Sequence, residues 1–350
     1  MRNKLLILVT VTFIMGLHVG CSKKISTLDT PSDFNVMLNS YTYKVTDTVT
    51  FNLSGNPDEI ILYTGEPGRQ YQNRNRYLAA GVNKLSFSSF MLQGRSKFPD
   101  SSLQLLVTTN LGGRYDSTGV ANATWDTLTQ LVKWPDSTGS TYINSGLIDV
   151  SKYNSYNSVN FAFNYMGKLD SKNWQRKWSI QNFNLVNILP DSSAWGLFTI
   201  PILGTATGVE SSASFPNTTY PSTFAGTGWV EVDMLNKKNA WNVGTWNISS
   251  TDSVRNSSGV GITNKYPIVF DPGNKPNTPS NNDWIITSAV NLKHVYPDVG
   301  AVIKNTITPS LSNYQYVFVK PGVYTVTFIA SNINVNTNNS VVRQVTITVK

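Results

Sequence analysis

Apolar and polar residues alternate in short runs at both ends of this chain. Phe34, Val36 and Leu38 are followed by Tyr43 and Val45, then by Val49, Phe51 and Leu53. A period of two marks a strand with one buried face, and Asn39-Ser40 and Gly55-Asn56-Pro57 supply the intervening turns. Ile60 to Tyr63 predicts a further strand. At the far end Pro321-Gly322 predicts a turn, and Tyr324, Val326, Phe328 and Ala330 share one strand face. An Asn-rich turn from Asn332 to Asn339 follows, and Val345, Ile347 and Val349 close the chain. Between these ends the pattern predicts strands around Leu85-Phe87, Leu103 to Val107, Val159 to Tyr165, Ile180 to Leu185 and Trp229 to Val232. No helical stripe of any length interrupts them. The expected fold class is all-β.

Composition strengthens that reading. Asn, Ser and Thr number 38, 37 and 36 of 350 residues, and only 14% of the chain is charged. These side chains compete for backbone hydrogen bonds and so favour turns and strands over helix interiors. With 40% apolar residues the chain can bury a core, and its length suits roughly two domains.

The chemistry available is narrow. The only histidines are His18 and His294, and the only cysteine is Cys21. Structural zinc sites take four Cys or His ligands and catalytic ones usually three protein ligands rich in His, so neither is expected here. A Ser–His–Asp triad could pass only through His294. Four glutamates (Glu59, Glu66, Glu210, Glu231) and sixteen aspartates leave carboxylate chemistry open.

Arg2 and Lys4 precede the largely apolar run Leu5–Leu17 and then His18-Val19-Gly20-Cys21. That run is shorter than the about 20 residues a membrane span needs and suits a secretory signal. Gly before the sole Cys resembles a bacterial lipobox, although His18 stands where Leu is usual. The resemblance implies a signal peptide at 1–20, lipidation at Cys21, a polar tether over 21–33 and a lipid-anchored protein of the bacterial outer membrane. The net charge of +8 falls to +6 without Arg2 and Lys4. The remaining basic residues are scattered, unlike the concentrated basic face of a nucleic-acid binder, so no nucleic-acid partner is expected.

Each chain end alone is half a sandwich, because a few strands with one apolar face cannot bury it unaided. "SYTYKVTDTVTFNLSGNPDEIILYTGE" resembles the opening strands of a polycystic-kidney-disease-type (PKD) immunoglobulin-like domain. "YQYVFVKPGVYTVTFIASN" with "VVRQVTITV" resembles its closing strands. That likeness implies a sandwich made of residues 34–76 plus 313–350, interrupted by an inserted domain over 77–312. "SGLIDVSKYNSYNSVNFAFNYMG" with "WSIQNFNLV", and "NNDWIITSAVNL" further on, resemble strands of galactose-binding-like jelly rolls. The order of these segments leaves two readings open, a permuted jelly roll or a second half-sized unit after Pro190. The opening through "YTGEPGRQYQNRNR" is similar to a family of uncharacterised Bacteroidetes surface lipoproteins that accompany polysaccharide-import machinery. This implies an outer-membrane transporter complex as a partner and polysaccharide as a ligand.

Jelly rolls of this type often hold structural calcium, and Asp116, Asp126 and Asp136 are the candidate ligands, although their spacing matches no defined calcium loop. No other cofactor is expected. All nine tryptophans lie between Trp125 and Trp284. Trp178 and Trp284 sit in strand patterns and are expected in the core. Trp134, Trp174 and Trp195 sit in polar or turn-rich loops, where an exposed indole can stack on the C–H face of a sugar. Trp174 with Asn173, Gln175 and Arg176 is the strongest such group, the polar neighbours being suited to bond hydroxyls. Glu66-Pro67-Gly68-Arg69 reads as a junction turn. The expected function is non-catalytic surface capture of a polysaccharide. A protein-binding or adhesion module is the alternative, and a glycosidase, for which Glu210 and Glu231 are the first carboxylates to examine, is a third.

Overall fold

A computed structural model describes residues 28–94, 101–197, 229–235, 241–243, 268–272 and 275–350. Within them the fold is all-β, with several sheets and very little helix. The chain separates into two compact units. One comprises the two chain ends, up to Glu66 and from Gly300 onward, and the other spans Pro67–Val299.

The first unit contains β1 (Asn35–Leu38), β2 (Thr42–Tyr43), β3 (Thr48–Ser54) and β4 (Glu59–Tyr63) from the opening. The close of the chain supplies β17 (Ala301–Lys304), β18 (Asn313–Val317), β19 (Gly322–Ile333) and β20 (Asn338–Val349). Neither set closes without the other. Strand β3 lies between β1 and β18, and β4 lies between β17 and β19 in the sheet β17-β4-β19-β20-β2. The register sets Phe328 opposite Leu62 and Ala330 opposite Ile60. One sheet contributes Val49, Phe51 and Leu53 to the core, and the other contributes Ile60, Leu62, Val326, Phe328 and Ile347. Phe51 meets Phe328 edge to face at 5.2 Å. The Gly55-Asn56-Pro57 turn depends on its glycine: φ is +81° there, and a Cβ would lie 2.9 Å from the Phe34 Cα.

The unit boundaries differ from the expected ones. The first segment ends at Glu66 rather than at residue 76, and the second resumes at Gly300 rather than at 313. Two interactions explain the shift. Strand β17, which the alternation did not reveal, pairs with β4. Residues 70–76 are held to the second unit by Asp298, whose carboxylate accepts from the Gln70 backbone N–H at 2.8 Å and pairs with Arg76 at 3.2 Å. At the junction, the Glu66 carboxylate accepts from the Tyr316 hydroxyl at 2.6 Å and from Thr64 Oγ1 at 2.9 Å.

The second unit is a two-sheet antiparallel sandwich. Its strands are β5 (Val82–Leu92), β6 (Leu103–Thr108), β7 (Asp126–Thr127), β8 (Ile143–Asn144), β9 (Ile148–Asp149), β10 (Asn160–Gly167), β11 (Lys177–Ile188), β12 (Ala194–Gly196), β13 (Trp229–Leu235), β14 (Trp241–Val243), β15 (Ile268–Phe270) and β16 (Asn281–Thr287). One sheet runs β13-β16-β10-β6-β7 and the other β14-β15-β11-β5-β8, so consecutive strands occupy matching ranks in the two sheets. Because β16 inserts between β10 and β13, the segment after Pro190 completes the same sandwich and is not a separate half-unit. The core between the sheets is aromatic: Phe87, Phe161, Phe163, Tyr165, Trp178, Phe183, Trp229, Trp241 and Phe270. A bulge between Gln181 and Asn184, with Asn182 at φ +57°, lets both Ile180 and Phe183 face inward.

Each unit thus has its own core, and all the tryptophans lie in the second. Phe328→Ala is expected to cost the terminal sandwich about 3–5 kcal/mol. In urea titration the far-UV circular dichroism should show a transition moved to lower urea while the Trp fluorescence transition stays in place. A coincident shift of both signals would contradict the separate cores.

Candidate functional site

Strand alternation gives the sheet β13-β16-β10-β6-β7 two different faces. Along β10, Phe161, Phe163 and Tyr165 enter the sandwich, while Ala162, Asn164 and Met166 point outward. Along β16, Asp283 and Ile285 point in, and Asn282, Trp284 and Ile286 point out. Part of this outer face is covered by helix α1 (Ser117–Asn122) and its flanks: Leu111, Tyr115 and Val120 pack on Ala162, Val230, Val232 and Ile286. Asp116 caps the helix, accepting from the Gly119 N–H at 2.6 Å.

Where the helix stops, two indoles remain half-buried. Trp125 and Trp284 lie 4.8 Å apart at an interplanar angle of 46°. Trp125 Nε1 donates to the Val120 carbonyl at 3.0 Å. Trp284 Nε1 donates to Asn282 Oδ1 at 3.0 Å, and Asn164 Nδ2 donates to the same oxygen at 2.7 Å. An indole nitrogen can only donate, so this contact fixes which end of the Asn282 amide is oxygen. With both lone pairs of that oxygen engaged, the Asn282 NH2 group is left as a positioned donor. Met166 and Leu235 both pair with Asn282 and flank it, exposed to 38% and 52%. Gln104 stands across from Asn164 on the neighbouring strand. The result, among the described residues, is a face of aromatic rings, amides and apolar edges on one sheet.

The residues expected from sequence fall elsewhere. Trp174 is 43% exposed, as anticipated, in the loop joining β10 and β11. Its neighbours serve that loop rather than solvent. Asn173 Nδ2 donates to Asp170 at 2.9 Å. Gln175 is buried, donating to the Thr278 and Pro279 carbonyls at 3.0 and 2.7 Å and accepting from Asn281 at 2.6 Å. Arg176 is buried and donates to the Gln93 carbonyl at 2.9 Å. Trp134 packs on Phe87 and Trp178, and its Nε1 donates to the Thr129 carbonyl at 2.9 Å. Trp195 is buried with Leu189 and Val295. The expectation that Trp178 is core matches its place between the sheets, whereas Trp284 lies on the outer face. Trp125 and Asn282 were missed because one-dimensional alternation does not say which face a covering helix leaves open.

The three calcium candidates do not converge. Asp116 caps α1 and pairs with Arg114, Asp126 accepts from the Tyr153 hydroxyl, and Asp136 is exposed beside Ser137. Among the described residues no group of three or more His, Cys, Asp or Glu could hold a metal ion. These residues do not fit a calcium site. Cys21 and Glu210 lie outside the described residues.

Glu231 lies inside the sandwich, only 4% exposed. It shares an inward face with Asp233, and Asp283 lies directly across from Asp233 in the register. Glu231 Oε1 accepts from the Trp241 backbone N–H at 2.5 Å. Burial pushes the Glu231 carboxyl up to about 8 against the pull of that N–H, with neighbouring Asp233 pushing the same way. Burial and Asp233 also raise Asp283 far above the usual carboxylate range. All three carboxyls are buried, beside the aromatic core of the sandwich.

A family model described as a domain of unknown function, DUF5017, matches residues 20–205 of the 350. The chain belongs to the DUF5017 family. No curated protein and no solved structure matches it. The region matched in this DUF5017 chain runs from before β1 through β12, so it lacks β19, the partner of β4, and β16, which links β10 to β13.

A fragment of residues 20–205 is therefore expected to fail to fold, leaving apolar faces of β4 and β10 uncovered. Dispersed amide proton shifts from that fragment would contradict the topology. The carboxyls give a second expectation. Their folded affinity for protons exceeds the ordinary one, so the stabilisation is fully present below about pH 4 and is lost as pH rises through about 8. The melting temperature should fall between mildly acid and mildly alkaline pH, and Glu231→Gln should flatten that fall. An unchanged slope in the variant would refute the assignment.

Proposed function

We propose that this DUF5017 chain is a non-catalytic glycan-binding protein whose ligand lies on the Trp125–Trp284–Asn282 face. The single observation that carries the reading is the saturated Asn282 oxygen, which presents the amide NH2 beside two half-exposed indoles. A pyranose has an apolar C–H face that stacks on an indole and a rim of hydroxyls that bond an amide. Stacking supplies affinity through apolar burial, and an amide already held by its neighbours loses little entropy on binding.

The carboxylate chemistry of a glycosidase is not favoured by this placement. Hydrolysis of a glycosidic bond needs two carboxyls flanking a cleft open to the sugar chain. Glu231, Asp233 and Asp283 instead face the aromatic interior. The loop bearing Trp174 offers an additional exposed ring, without free polar partners on Gln175 or Arg176.

In this reading the chain is exported through the segment 1–20, is lipidated at Cys21 and works on the outer membrane as an accessory to a polysaccharide-import complex. The setting rests on the lipobox-like sequence and on the likeness of the chain opening to Bacteroidetes surface lipoproteins.

Affinity electrophoresis and calorimetry against neutral plant, algal and fungal polysaccharides test the proposal. Asn282→Ala should cost about 1 kcal/mol of binding, roughly fivefold in affinity, with the far-UV spectrum unchanged. Trp125→Ala should cost more, and Trp174→Ala should cost little. Absence of binding to every glycan, together with strong capture of a transporter protein by the same face, would replace this reading with a protein-binding one.

A further inference from the structure

The buried carboxyls stand back to back with the proposed ligand face, because successive residues of one strand point to opposite sides. Asp283 is flanked by Asn282 and Trp284, and Asp233 by Val232 and Met234. Among the described residues, strand β13 is the outermost strand of its sheet and pairs with β16. Its inner side contributes Glu231 and Asp233, and its outer side ends in Leu235 beside Asn282.

Asp233 lies directly across from Asp283 in the register and shares the inner face of β13 with Glu231, so three buried carboxyls adjoin one another. An ionised carboxylate only accepts, so a hydrogen bond between two carboxyls requires a proton on one of them. With all three ionised, Glu231 Oε2 and both oxygens of Asp283, fully shielded from solvent, would have no donor facing them. Like charges would then oppose each other across the pairing of β13 with β16. The elements packed around the trio bring no described cation to it. Tyr165 faces Asp283 from β10 and stacks on Phe270 of β15 at 4.0 Å. Strand β14 brings the Trp241 backbone N–H to Glu231. Asn281 and Gln175 bond each other at 2.6 Å. Of the bases on this end of β11, Arg176 donates to the Gln93 carbonyl and Lys177 pairs with Asp271 at 2.6 Å.

We infer that Glu231, Asp233 and Asp283 form a proton-held latch on β13, and that deprotonation loosens β13 from β16 and weakens the grip of the face those strands carry. The inference rests on the glycan-binding reading for its ligand and on the strand pairing alone for the latch. Ligand is held at acid and neutral pH and released in alkali.

Hydrogen–deuterium exchange of the full chain at about pH 6 and about pH 9, corrected for intrinsic rates, tests the latch without any ligand. Peptides covering Trp229–Leu235 and Asn281–Thr287 should lose roughly tenfold protection at the higher pH, and peptides of β19 and β20 should not. Asp283→Asn and Glu231→Gln, isosteric and neutral, should each reduce that loss. Calorimetry at both pH values with whichever neutral polysaccharide binds the wild-type chain should show affinity falling in parallel in the wild type and staying level in Asp283→Asn. Equal protection at both pH values overturns the latch, whatever binds. Switching protection with pH-independent affinity overturns the coupling. Switching protection with no polysaccharide bound at either pH overturns the glycan reading, and the coupling with it.

Discussion

A strand with one apolar face must find a sheet on each side and a second sheet to cover it, and no contiguous stretch at either end of this chain supplies both. The opening strands β1 to β4 and the closing strands β17 to β20 carry complementary halves of one interior, Phe51 and Leu62 on one part, Val326 and Phe328 on the other. The cost of closing the long loop between them grows only as the logarithm of its length, so a whole domain can occupy it at little thermodynamic expense. Everything else about the molecule is arranged around that interruption. The second unit begins and ends at neighbouring points, where Asp298 clamps residues 70–76 near its own entry.

Within the second unit the same requirement recurs. Strand β10 is buried on its inner side by aromatic residues of both sheets and on part of its outer side by α1. The helix is six residues long and cannot cover five strands. What it leaves open is the strip around Trp284, Asn282, Met166 and Leu235. An apolar patch beside positioned polar groups marks a surface that something covers. Here the polar groups are amides, whose hydrogen bonds need no charge partner, and the geometry of one of them is fixed by an indole that can only donate.

The inner and outer sides of β13 and β16 make opposite use of polar residues. On the outside, amides are satisfied by neighbours and by solvent. On the inside, three acidic groups are buried, and burial is the dominant influence raising the proton affinity of Glu231 and Asp283. Replacing the water around a carboxylate with Phe and Trp rings raises the cost of ionising it by several kcal/mol, so neutralisation is the cheaper state. The same pair of strands therefore links the proposed ligand face to a titratable interior through nothing longer than the pleat of the backbone.

The sequence by itself determined that the protein is all-β, and the likeness of its two ends to the halves of a PKD-type domain implied that they belong to one sandwich. The period of two across Phe34 to Leu53 and Tyr324 to Ala330 is a local property of extended backbone, visible without knowing any partner. It also placed all nine tryptophans in the middle of the chain. Only tertiary structure decided which side of each strand is covered. Trp284 and Trp178 both sit in strand-like patterns, yet one faces α1 and the other faces the opposite sheet. Gln175 and Arg176 looked like hydroxyl ligands beside Trp174, but the carbonyls they bond come from residues 93, 278 and 279, distant along the chain. The order β13-β16-β10, which answered whether the middle holds one unit or two, is likewise a matter of pairing across about a hundred residues. Alternation records that a residue has a face; which neighbour occupies it is set by long-range hydrogen bonding that leaves no local trace.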